Sequence, residues 1–265
     1  MIKGFALAAL LPIFFACSSE DDSPVQGGEP QEVQVSISTR ATADGDEWTW
    51  QNGDAINLYV TGYGSTSPET TTLTYTNGAW LTFNATLPAS VEACYPETAT
   101  LTSFTIPDNQ SAGIAAADYM TTVSSQQLNG TNLSLTLVHR LCKVAVTITD
   151  WSDYGNTMPA ISDFKITSYP NVTRSEDSVI GTGDVTDVIA YYTEGSTYTA
   201  IIAPSSNGFT LKLKVNGMDM TATSNQEVTS GNAYSFSLTV TDKELTLTPA
   251  STNVLPGWDD ETDLN

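Results

Sequence analysis

Acyl transfer by a Ser-His-Asp or Cys-His centre needs an imidazole beside the nucleophile, and this chain of 265 residues has a single histidine, His139. Cys142 lies three residues further on, but along a strand positions i and i+3 face opposite ways, so a shared site would need a bulge between them. A hydrogen-bonded structural role for His139 is the expectation. The three cysteines, Cys17, Cys94 and Cys142, do not have zinc-ligand spacing, and neither a P-loop nor a dinucleotide fingerprint occurs. Thirty Asp and Glu leave a glycosidase pair open by number, yet nothing in the sequence holds two of them together. Asp44-Gly45-Asp46 carries oxygen ligands that suit calcium but no EF-hand pattern, and ordinary solvated acids are the better reading. Trp48, Trp50, Trp80 and Tyr63 offer rings on which sugars stack, although aromatic residues in sandwich strands usually belong to the core. The chain is not expected to be an enzyme or to carry a cofactor or metal. Arg40, one of three arginines, lies in a polar segment with Ala41, Thr42 and Gly45 just after it, which suits cleavage by a protease; the alternative is a solvated loop residue, with strand 31–39 staying in place.

The elements that would present these residues are strands. Thr, Ser, Val and Tyr are abundant, and no window beyond residue 30 has a 3.6-residue apolar stripe over three turns, so the class is all-β. The formal charge of −21, with nine Lys and Arg, repels nucleic acid and anionic membrane surfaces. Residues 1–17, MIKGFALAALLPIFFAC, join one positive residue, Lys3, to an apolar run too short to span a bilayer, which is the composition of an export signal. Phe14-Phe15-Ala16-Cys17 resembles a relaxed lipobox of bacterial lipoproteins, with Phe14 and Phe15 departing from the usual Leu and small residue. That resemblance implies acylation of Cys17, and several acyl chains form a lasting anchor. Ser18-Ser19-Glu20-Asp21-Asp22 resembles the acidic surface-export signal of Bacteroidota lipoproteins. Cys94 and Cys142 remain; buried free thiols are the commoner outcome, with a disulfide between them the alternative.

The longest apolar alternation after the N-terminus is Leu133 to Thr149, without Gly or Pro. Leu133, Leu135 and Leu137 share one face, whereas Cys142, Val144, Val146 and Ile148 have the opposite parity. This strand must either bulge or pass from one sheet to another around Val138-His139-Arg140-Leu141. Upstream, QEVQVSISTR at 31–40 places Val33, Val35 and Ile37 on one face. Asn52-Gly53-Asp54, Asn77-Gly78 and Asn216-Gly217 mark turns, the last two within hairpins. The spacing of short strands indicates two successive sandwiches. The expected organisation is a signal peptide over 1–16, an acidic flexible tether over 17–30, one sandwich over 31–150 and a second over 151–265, with the break at Trp151–Pro159.

Several pieces, in order, resemble the fimbrillin-like lipoproteins of Bacteroidota, which include the type V pilins. They are the lipoprotein start, the strand ending in Thr39-Arg40-Ala41, Trp50 with Gly53-Asp54 and Ile56, and Ala117-Asp118-Tyr119-Met120. Further on come His139-Arg140-Leu141-Cys142-Lys143-Val144, Tyr198 through Ala203-Pro204, Gly231-Asn232-Ala233-Tyr234 and Trp258. The resemblance implies two transthyretin-like (Greek-key) β-sandwiches and a fimbrial subunit precursor, exported as an outer-membrane lipoprotein through Cys17. It implies that a trypsin-like protease cuts between Arg40 and Ala41, that the strand with Val33, Val35 and Ile37 leaves, and that a neighbouring subunit's strand takes its place. Other subunits are the expected partners, with host or bacterial surface ligands beyond them. The candidate donor is the C-terminal segment with Leu245, Leu247 and Val254, although Pro249 and Pro256 remove N–H groups from its ladder and the tail beyond is acidic. Asp177-Ser178-Val179 resembles the O-glycosylation acceptor motif of Bacteroidota, with Ser178 as acceptor. The alternative is a monomeric, surface-anchored lipoprotein that binds a glycan or host ligand without polymerising.

Overall fold

A computed structural model describes residues 28–39, 50–193 and 195–256, with backbone alone for Thr39 and 251–256. The expected signal peptide, almost all of the tether, Cys17, Arg40, Ala41, the Asp44–Asp46 loop, Trp48 and Trp258 lie outside the described residues. The first strands are β1 (Pro30–Thr39), β2 (Ala55–Thr61), β3 (Glu69–Thr76), β4 (Ala79–Trp80), β5 (Phe83–Thr86), β6 (Ala89–Tyr95) and β7 (Ser103–Thr105). Next come β8 (Met120–Thr122), β9 (Gln126–Leu128), β10 (Asn132–His139), β11 (Cys142–Asp150), β12 (Ile161–Ser168), β13 (Asn171–Ser175) and β14 (Ser178–Thr182). The last are β15 (Thr186–Ile189), β16 (Tyr191–Tyr192), β17 (Thr197–Ile202), β18 (Phe209–Val215), β19 (Met218–Ser224), β20 (Asn232–Val240) and β21 (Leu245–Pro256). Two single 3-10 turns, Ala115–Ala117 and Ser152–Tyr154, are the helical elements among the described residues. The chain is nearly all β, as its composition requires.

In the first unit one sheet runs β4-β3-β2-β6-β8-β10-β1-β5, and it curls until β4 lies alongside β1. It closes over Ile56, Leu58, Leu73, Val91, Leu133, Leu135 and Leu137, which are buried on one face as their period-2 spacing demands. The second unit packs the sheet β16-β17-β11-β20-β21 against β15-β12-β18-β19. Val144, Val146, Leu211, Leu213, Phe236 and Leu238 fill the space between those sheets. Asn77 (φ 53°) with Gly78 (φ 83°), and Asn216 (φ 48°) with Gly217 (φ 85°), are both left-handed pairs, the conformation that fits a two-residue turn to the twist of its strands.

Two sequence expectations change. The Asn77-Gly78 hairpin signal joins TTLTYT at 71–76 to AWLTFNAT at 79–86, and that second arm does not stay one strand. It divides instead at Leu81–Thr82, so that β4 stays with β3 while β5 crosses over to pair with β1. The 133–149 stretch takes the sheet-changing alternative: β10 belongs to the first unit, and β11 pairs with β17 and β20 of the second. The division between units therefore falls at Arg140–Leu141, not at 151–159, because Cys142 to Ile148 project into the second core.

The units are joined by more than this crossover. β7 of the first pairs with β13, in a small sheet β14-β13-β7. A third apolar cluster mixes Phe104, Ile106, Tyr119 and Leu141 with Val172, Val179 and Ile201. The Gln110 side chain accepts from the Ile201 N–H and donates to its carbonyl, both at 2.8 Å, so it stands in for a neighbouring strand.

Candidate assembly site

β1 is half-buried by alternation: Val33 is 0% exposed, Val35 and Ile37 pack on the same core, and Glu32, Gln34, Ser36 and Ser38 face outward. Its backbone has two partners. Pro30–Val33 pair antiparallel with β5, and Gln34–Thr39 pair parallel with β10. The three apolar side chains contribute on the order of 5 kcal/mol, at about 1.5–3 kcal/mol for a fully buried aliphatic and less for the half-buried pair. Side chains add Thr82 Oγ1 donating to Glu32 Oε1 (2.7 Å) and Ser36 Oγ to the Leu133 carbonyl (3.4 Å). β10 meets β8 only over Leu137–His139, so β1 is the sole described strand on Asn132–Thr136. Loss of β1 would leave β10 bare on both edges there, a template for another strand.

Sequence reasoning missed Trp50 as a partner of β1. The Gln34 N–H bonds the carbonyl of Thr131, the residue just before β10, so strand alternation turns the backbone groups of Val35 and Ile37 the other way, past the point where β5 ends. The Trp50 indole Nε1–H donates to the Ile37 carbonyl at 3.1 Å. Its ring meets Trp80 edge-on at 4.9 Å and Tyr95 at 5.5 Å, and Trp80 is buried. Trp80 is a core residue, and the half-buried Trp50 packs against that core. The turn after Trp50 is fixed by Asp54, whose carboxylate accepts from the Gln51 N–H (2.7 Å), and by Gly53 and Asp54 bonding the backbone of Tyr75.

The candidate donor segment lies at home. β21 pairs antiparallel with β20 as the edge of its sheet, with Leu245 buried and Leu247 packed on the second core; for Val254 the backbone register with Tyr234 is described. The expected interruption at Pro249 does not end the strand. Pro249 stands opposite Phe236, and a register shift between Tyr234 and Phe236 absorbs it. An edge position tolerates the missing N–H.

At the crossover, His139 Nδ1 lies 2.8 Å from Asp118 Oδ1, both side chains sealed from solvent. Cys142 Sγ bonds the Thr229 carbonyl at 3.1 Å, in the other unit's core, so His139 and Cys142 form no nucleophilic pair. Arg140 is buried. Its Nε donates to Thr121 Oγ1 (2.8 Å), Nη2 to the Thr122 carbonyl (3.2 Å) and Nη1 to Asp177 (3.3 Å). Burial first, then the nearby Arg174, lowers the affinity of this guanidinium for its proton. The Arg140 carbonyl accepts from Ser230 Oγ (2.8 Å), and its N–H bonds the Tyr119 carbonyl. One residue thus ties three segments.

Cys94 and Cys142 are free, buried and in different clusters, so the disulfide alternative is not realised. Burial pushes the Cys94 thiol up to about 12 and raises Cys142 as well. Both should resist alkylation at pH 8 in the folded chain and react once it unfolds, which thiol counting with and without denaturant checks. The sign for stability follows: thiols protonated in the fold but ionised in the unfolded chain destabilise it as pH rises from about 9. Ser178 is exposed at the turn between β13 and β14. Among the described residues no group of three or more His, Cys, Asp or Glu is placed to hold a metal.

Comparison with solved structures finds the same fold. A candidate cell adhesion protein of Bacteroides uniformis superposes with TM-score 0.63 at 17% identity, over 86% of this chain and 98% of that one. Another, from Bacteroides ovatus, gives TM-score 0.65 at 13% identity, over 88% and 100%. A fimbrial protein of Bacteroides ovatus gives 0.52 at 18% identity, over 81% of this chain and 51% of that one. A search of curated proteins finds no match. The sequence model of the fimbrillin-like family matches residues 39–254, and the chain belongs to that family.

Proposed function

We propose that the chain is the precursor of a fimbrial subunit, anchored by acylated Cys17 in the outer membrane, cut by a trypsin-like protease between Arg40 and Ala41, and assembled by exchange of its first strand. Membership of the fimbrillin-like family supports a structural, surface-exposed role among other fimbrial subunits. The observation that carries the exchange is the position of β1: it fills a pocket with Val33 and is the sole described strand paired with Asn132–Thr136, yet its outer half has no described strand paired with it on its other side. A second copy's extended segment with apolar residues at alternate positions fits the same place. Our candidate remains the segment with Leu245, Leu247 and Val254. As an edge strand with one paired neighbour, it has to peel from β20 before it is donated. In the same reading the exposed Ser178 is the acceptor for O-glycosylation.

The test is a single nick. Mature protein cut after Arg40 should lose the peptide that contains β1 and form concentration-dependent oligomers on size exclusion, while uncut protein stays monomeric. Nicked protein that has lost this peptide and still runs as a monomer at high concentration would sink the proposal.

One observation favours the glycan reading. Tyr63 is 61% exposed, and its loop is pinned by the Tyr63 N–H to the Thr86 carbonyl (2.9 Å). Beside it opens a cleft of about 530 Å³ lined by Glu69, Thr71 and Asn84. An exposed ring next to amide and carboxylate groups suits a neutral sugar. A glycan array probed with the intact chain decides it, and no signal removes the reading.

A further inference from the structure

We propose that Trp50 is the latch that holds the first strand in place and slows the release of β1 once the chain is cut after Arg40. The latch concerns the uncut fold; its role in assembly rests on the strand-exchange reading above.

Three observations carry it. The Arg40–Ala41 bond lies between the acceptor, Ile37, and the donor, Trp50, so hydrolysis there removes the covalent link and leaves the hydrogen bond across the cut intact. The bond lands where β1 has no described strand paired with it on that side: β5 ends its pairing at Val33, and the Ile37 carbonyl points away from β10. The indole is itself fixed, by edge-on packing on Trp80 and Tyr95 and by the Gln51–Asp54 turn tied to β3. A rigid donor aimed at one carbonyl loses little side-chain freedom on bonding, so its contribution lies toward the upper end of the usual range. An incoming strand that offers a carbonyl at the same point meets the same indole, and Trp50 would then hold the donor strand as it held β1.

The neighbouring Trp80 supplies the control. It belongs to the same aromatic cluster, but its indole Nε1 has no hydrogen-bond partner among the described residues. Trp50→Phe and Trp80→Phe therefore remove the same atoms, and only the first removes a bond to β1. Hydrogen exchange of the uncut full chain, compared between these variants at matched global stability, reads the latch. The amides of β1 should exchange about three- to tenfold faster in Trp50→Phe than in Trp80→Phe, the range that one hydrogen bond covers. Equal exchange in the two overturns the proposal. If Trp50→Phe fails to fold, 3-benzothienylalanine at position 50 keeps the ring and replaces N–H by sulfur, with the same expectation and the same overturning result.

Nicking after Arg40 separates this proposal from the one it deepens. If nicked wild type loses β1 and stays monomeric while Trp50→Phe loses it faster, the latch stands and strand exchange falls. If nicked wild type oligomerises and the two variants lose β1 at equal rates, strand exchange stands and the latch falls.

Discussion

Arg140→Ala is expected to lower the unfolding free energy by about 2–4 kcal/mol, read as a shift of the denaturant midpoint. The loss comes from acceptors left behind. Thr121 Oγ1 and the Thr122 carbonyl are sealed from solvent and take the guanidinium protons at 2.8 and 3.2 Å. Thr121 Oγ1 loses its donor, at about 1–3 kcal/mol for a buried group stripped of a partner. The Thr122 carbonyl keeps the Thr121 hydroxyl at 3.0 Å and loses one bond worth about 0.5–1.5 kcal/mol. The third partner behaves differently. Asp177 is 78% exposed, so water replaces the ion pair, and Asp177→Asn should cost less than about 1 kcal/mol. The contrast separates a buried tie from a surface ion pair within one residue's contacts. Because Arg140 stands where the chain passes from β10 to β11, its loss should also loosen the two units. Small-angle scattering of Arg140→Ala should show a larger radius of gyration than Asp177→Asn.

Gly208→Ala should cost about 3–4 kcal/mol, against about 1–2 kcal/mol for Gly64→Ala. Both glycines are left-handed, at φ +69° and +76°, so both alanines meet the conformational penalty of an L side chain there. Around Gly64 no described atom lies within 4 Å of an added Cβ. At Gly208 the Cβ would collide with the Ser224 carbonyl oxygen and reach within 2.9 Å of the Gln226 carbonyl. These are backbone atoms of the segment running from β19 toward Val228, and they cannot turn aside as a side chain would. Phe209 and Leu211, which follow in β18, are core residues, so a shift at Gly208 reaches the packing of the second unit. Parallel chemical denaturation of the two variants reads the difference directly.

Much of this was written in local pattern. The parity switch between Leu137 and Cys142 required a bulge or a change of sheet, because a period-2 strand cannot bury both sets on one side of one sheet. Asn77-Gly78 and Asn216-Gly217 fixed two hairpins, since few residues other than Asn and Gly accept two successive left-handed conformations. Alternation at Val33, Val35 and Ile37 showed which face of the first strand is buried, and the single histidine left little room for a catalytic centre on composition alone. Pairing between distant strands was decided only in three dimensions. That β5 leaves its hairpin for β1, that β7 reaches β13, and that β11 belongs to the second core are settled by backbone hydrogen bonds, which carry no side-chain signature. The same holds for the His139–Asp118 contact, across 21 residues, and for Trp50, whose indole finds a carbonyl 13 residues back. A sequence states which face of a strand seeks the core through side-chain type; which edge meets which depends on loop closure and on the competition among all edges, and that becomes definite only when the whole chain is packed.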